Sequence, residues 1–107
     1  MKLTVTIDKN TLVSFFNITL VDRAGIASNF GPGNFAGSTS CIVPNLNVNP
    51  GDPLPAALVV HGALAGNARP GMSATITPDG GAALSPVLQA IVKPGTSIAT
   101  DNETYQL

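Results

Sequence analysis

One thiol and one imidazole, Cys41 and His61, are the only strong nucleophile and the only side chain of near-neutral titration in this chain of 107 residues. Held together in a polar cleft with a third, orienting group, they would form a Cys/His nucleophile pair. Their neighbours argue otherwise. Cys41 lies in Ser40-Cys41-Ile42-Val43 and His61 in Val59-Val60-His61-Gly62, so both read as packed strand residues. The carboxylates Asp8, Asp22, Asp52, Asp79 and Asp101 fall in or beside turn segments, where Asp is favoured because it hydrogen-bonds nearby backbone. No His, Cys, Asp and Glu spacing matches a metal-ligand set. Gly31-Pro32-Gly33 and Asp79-Gly80-Gly81 lack the Lys and the following helix of a phosphate loop. Asn17-Ile18-Thr19 and Asn102-Glu103-Thr104 match the glycosylation sequon, which acts only in a secreted eukaryotic protein. With no Trp and one Tyr, aromatic platforms for sugar rings are poorly supplied. The expectation is a non-enzymatic chain with no catalytic residue, no cofactor and no metal.

The surface chemistry points toward association. Charged residues make up 10% of the chain and the net charge is −1, against roughly 25% charged residues in an average soluble domain. A free monomer relies on interspersed charge for solubility, so a surface this neutral is expected to be covered, in a homo-oligomer or a larger assembly. The five cations, Lys2, Lys9, Arg23, Arg69 and Lys93, are scattered and cannot form the basic stripe that neutralises phosphates, so no nucleic-acid partner is expected. The longest apolar run, Leu54 to Ala65, contains Pro55, His61 and Gly62 and falls short of the roughly 20 residues that cross a bilayer. No membrane partner is expected. The first ten residues alternate apolar and polar and reach Asp8, which is no signal peptide and implies synthesis in a host cytoplasm.

The elements that must position these residues are strands. Leu3, Val5 and Ile7 alternate with Thr4, Thr6 and Asp8, the period of a half-buried strand. Thr11 to Asp22 alternates with apolar residues on both faces over much of its length, as in a central strand covered on two sides or an edge face buried by a partner. Ser40 to Val43, Ala56 to Leu64 and Met72 to Thr77 follow, and Pro78-Asp79-Gly80-Gly81 predicts a hairpin turn. The run 44–55, with four Pro, reads as an ordered connector, and residues 25–38 as a loop. Residues 82–93 favour strand over a short helix near 86–93, and the chain ends in strands at 96–100 and 103–107 separated by an Asp101-Asn102 turn. This pattern predicts an all-β single domain covering residues 1–107, an antiparallel β-sandwich or small barrel of about seven or eight short strands with at most one short helix.

The candidate interaction site is Asn29-Phe30-Gly31-Pro32-Gly33-Asn34-Phe35-Ala36-Gly37, which places two of the four Phe residues in a Gly/Pro run. Its expected interface residues are Phe30, Pro32, Asn34 and Phe35. The two rings, presented by a Pro-stiffened loop, would anchor a neighbouring subunit; folding back as a lid on their own core is the alternative.

The segments "KLTVTID" and "MSATIT", the Gly/Pro/Ala-rich connectors and the missing export signal together resemble the small β-rich capsid decoration, or cement, proteins of tailed bacteriophages and other virion structural proteins. The resemblance implies a virion location, the major capsid protein or other virion subunits as partners, assembly as a small homo-oligomer, and stabilisation of the shell without chemistry. A phage tail or baseplate component, and a receptor-binding or adhesion module, are the alternatives.

Overall fold

The computed structural model describes all 107 residues. Eight strands and one short helix follow each other in the order β1 (Leu3–Lys9), β2 (Val13–Val21), β3 (Ala27–Phe30), α1 (Pro32–Phe35), β4 (Ser40–Val43), β5 (Pro53–Gly62), β6 (Gly71–Pro78), β7 (Leu88–Ile91) and β8 (Ile98–Gln106). They form two four-stranded sheets, β4-β1-β6-β7 and β3-β2-β5-β8, in which every pairing is antiparallel. The expected single-domain antiparallel β-sandwich is therefore the fold. Alternation builds its interior: Leu3, Val5 and Ile7 of β1, Leu54, Ala56, Leu58 and Val60 of β5, and Met72, Ala74 and Ile76 of β6 are all buried. No polar or charged residue is among the buried set.

Strand β2 shows how the pattern is bent to fit. A register shift between Val13 and Phe15 inserts one extra residue. Val13 thereby joins Phe16, Ile18 and Leu20 on the buried face and Phe15 is left 47% exposed. Bulges of this kind re-aim side chains by breaking the period of two.

Four expectations require correction. Leu88–Ile91 form the favoured strand, β7, so the one short helix lies not near 86–93 but in the Gly/Pro loop at Pro32–Phe35. Pro at its first position lacks only an amide that would have no partner there, and Gly31 donates its amide to the Asn34 side chain at 2.8 Å. The loop itself is partly strand, because the Asp22 carboxylate accepts the amides of Ala24 and Ile26, both at 2.9 Å, and turns β2 back into β3.

The connector 44–55 ends early, since β5 starts at Pro53. The Gly62 and Leu107 amides donate to Ser97 and Asp52, so even-numbered β5 residues bond to β8 and odd-numbered ones face β2. Beside Pro53 and Pro55 β2 has no paired residue, so their missing N–H groups interrupt no ladder. Lastly, Asp101-Asn102 is no turn: β8 runs through it, paired with β5 along its whole length.

The open edges are managed by side chains. Asp101 accepts the Gln89 amide of β7 at 2.8 Å and the Asn102 amide of its own strand at 2.9 Å. One carboxylate thus bridges the two sheets where they meet and occupies edge donors, and a charged residue at this place opposes edge-to-edge pairing with another chain. Tyr105, buried beside it, donates its hydroxyl to the Pro86 carbonyl at 2.6 Å. Burial first, then the carboxylates of Glu103 and Asp101, push its pKa up to about 12.

Candidate interaction surface

The structure separates the four residues expected to act together. Phe35 is 4% exposed and stacks edge-to-face on Phe16, with ring centroids 5.5 Å apart and planes at 66°. It belongs to the home core, so its expected role as a docking ring is corrected: the single turn of α1 swings the ring inward over β2. Phe30 pairs with Ile18 in the β3–β2 ladder and sits half-buried at the rim of the same core. Pro32 and Asn34 are exposed, but the Asn34 side-chain oxygen is already bonded to the turn it caps. Phe35 thus closes the core as the alternative expected, while Phe30 remains partly exposed at its rim. A cleft of about 410 Å³ lies between α1 and the end of β1, with Phe16 and Phe35 as its aromatic floor and Asp8 and Lys9 at its mouth.

Cys41 and His61 are not brought together. Cys41 pairs with Val5 on the inner side of the β1 sheet, whereas His61 points outward from the β5 sheet and packs edge-on against Phe15 at 5.6 Å. The core lies between them, so this thiol and this imidazole cannot form a nucleophile pair. No group of three or more His, Cys, Asp or Glu side chains is arranged to hold a metal ion, and no helix is long and apolar enough to cross a membrane.

What the tertiary structure does assemble is a separation of charge. Lys2, Asp22, Arg23, Asp52, Arg69, Asp79 and Lys93 lie outside the strands, and Asp8 and Lys9 are the last two residues of β1. Only Asp101 and Glu103 occur elsewhere in a strand, and both sit on the inward pleat of the edge strand β8. The body measures 45 × 24 × 23 Å. Two packed sheets of four strands account for the short dimensions, so the strands run along the long one. Charge therefore concentrates at the two ends, as in the Arg23–Asp52 pair at 3.5 Å, and the flanks are neutral.

The outer face of the β5 sheet is the longest of these flanks. The register aligns Phe15, His61 and Ile98 in one cross-strand row, then Asn17, Val59 and Thr100, then Thr19, Ala57 and Asn102. None of these residues is a Lys, Arg, Asp or Glu. Asn17, Thr19 and Asn29 satisfy one another at 2.8–3.0 Å. The first row forms a ridge, since Phe15 is 47% and Ile98 49% exposed. At the third row and just past it, small Ala57 and flat Pro55 leave a trough of about 250 Å³ between Thr19 and Val21 on one side and Asn102 and Thr104 on the other. The outer face of the β1 sheet is shorter and hydroxyl-rich, with Thr4 opposite Thr77 and Thr6 opposite Thr75.

Sequence reasoning passed over this surface because its residues are spread over three strands far apart in the chain. The one available signal was that the outward positions of 13–21, 53–62 and 98–106 contain no Lys, Arg, Asp or Glu. No protein-family model, no curated protein and no solved structure matches this chain.

Proposed function

We propose that this protein is a non-enzymatic structural subunit that works by lateral packing, and specifically a capsid decoration protein that fills contacts between major capsid subunits and strengthens the shell. The observation that carries the reading is the separation of charge: nine of eleven charged residues lie at the ends of an elongated sandwich whose broad sheet faces are neutral. Depletion of charge is the compositional mark of the centre of a protein interface. A rigid β-sandwich with neutral flanks can be covered on its sides without stranding unpaired charge, while its charged ends remain in water. Repetition of one modest contact over many copies would multiply the effect on the shell.

The test is to mix the purified protein with expanded capsids built from the major capsid protein encoded in its own gene neighbourhood. Expected is co-sedimentation with the shells and a rise in their disruption temperature. Binding to host cells with no binding to shells would replace this reading with that of an adhesion module.

A further inference from the structure

We propose that the outer face of the β3-β2-β5-β8 sheet is where two copies of this chain meet, around a two-fold axis passing close to Val59. The pairing is one case of the lateral packing proposed above, and it concerns the free protein without any shell.

Shape is the first argument. Along β5 the ridge of Phe15, His61 and Ile98 lies at one end of the face and the trough over Ala57 and Pro55 at the other. Val59 stands midway between His61 and Ala57, two residues from each, or about 7 Å at the usual rise of a strand. A two-fold axis through that midpoint lays each copy's ridge over the other copy's trough. One surface then meets itself with projections opposite hollows, as an isologous contact requires.

Charge is the second. In a two-fold contact a charge beside the axis meets its own copy, and a charge elsewhere needs an opposite partner at the matching place, so a face without charge pairs with itself at no electrostatic cost. This one has no Lys, Arg, Asp or Glu among its outward side chains. Glu103 is the only charged residue lining the trough, and the register places it on the opposite pleat. Edge-to-edge growth through β8 is disfavoured by the same test, because it would bring Asp101 and Glu103 of both copies together.

Area is the third. Three strands of nine or ten residues give a face about 30 Å long and about 14 Å wide at normal spacing, to which the four-residue β3 adds a short fourth column. That is on the order of 500 Å² in projection, which side-chain relief raises toward the roughly 800 Å² of accessible surface that a stable interface takes from each partner. The β1 sheet, with two strands of only four residues, offers less.

Sedimentation velocity across roughly 1–100 μM, the range of modest interfaces, tests the proposal on the full chain. The wild type is expected to shift from monomer to dimer as concentration rises. Thr100→Lys, which sets two cations beside the axis, should stay monomeric with an unchanged circular-dichroism spectrum. Phe15→Ser removes the ridge without adding charge; it should weaken association at least tenfold, and it substitutes for Thr100→Lys if that variant does not fold. Thr75→Lys, on the other sheet, should dimerise like the wild type. A wild type that remains monomeric, a trimer in place of a dimer, or dissociation caused by Thr75→Lys and not by Thr100→Lys would overturn the proposal. A monomer that still decorates shells would remove the pairing and leave the proposed function standing.

Discussion

Truncating Phe35 to Ala measures whether the aromatic pair of the Gly/Pro loop serves the fold or a partner. The ring is 4% exposed and meets Phe16 edge-to-face at 5.5 Å. Phe→Ala in a closed core costs about 3–5 kcal/mol, of which the edge-to-face contact accounts for about 0.5–1.5 kcal/mol. Phe35 also lines the cleft beside α1, so water can enter the space it leaves, and the low end, about 3 kcal/mol, is expected. A domain of 107 residues unfolds with an entropy of about 0.2 kcal/mol per kelvin, so the melting temperature should fall by roughly 10–15 °C. Thermal unfolding followed by circular dichroism, with urea midpoints as a check, reads this directly. Phe30→Ala, half-buried at the rim, should cost about a third as much. Association of the folded Phe35→Ala protein should be unchanged. A variant that melts within about 3 °C of wild type yet no longer associates would show that the ring docks on a partner, and the reasoning from burial would be refuted.

Two further outcomes follow from local geometry. Gly62→Ala should destabilise by more than about 3 kcal/mol or prevent folding, because a Cβ there meets the Leu12 carbonyl oxygen and would stand 2.7 Å from Pro70 Cγ; a soluble variant with wild-type melting would contradict this. Tyr105, with its pKa pushed up to about 12 mainly by burial, ties stability to alkaline pH. Below about pH 10 the hydroxyl is protonated in both folded and unfolded chains and the linkage contributes nothing. Between about pH 10 and 12 the unfolded chain ionises first, so stability should fall across that window. Tyr105→Phe should melt lower at neutral pH, lacking the bond to Pro86, and should show a smaller alkaline loss; an identical alkaline profile would remove Tyr105 as its source.

Much of the architecture was legible in the chain because it is local. Leu3-Val5-Ile7 and Met72-Ala74-Ile76 alternate cleanly and are buried as their period requires, and the Gly81 amide closes a turn on the Pro78 carbonyl at 3.0 Å, although the second arm of the expected hairpin begins only at Leu88. Composition alone also marked the surface as neutral. The rest depended on partners distant in sequence. Asp101-Asn102 has turn chemistry, yet it stays extended because a ten-residue strand lies beside it and Gln89 of the other sheet takes up the carboxylate. Pro53 and Pro55 enter a strand only because β2 has no paired residue beside them. The direction of Phe35 was undetermined by its Gly/Pro surroundings, which permit both outcomes; the apolar surface of Phe16 decided it. The neutral face and its ridge and trough exist only where β2, β5 and β8 are in register. Short-range sterics and alternation set which residues form strands, but which strands become neighbours, and so which outward side chains share a surface, is a property of long-range pairing.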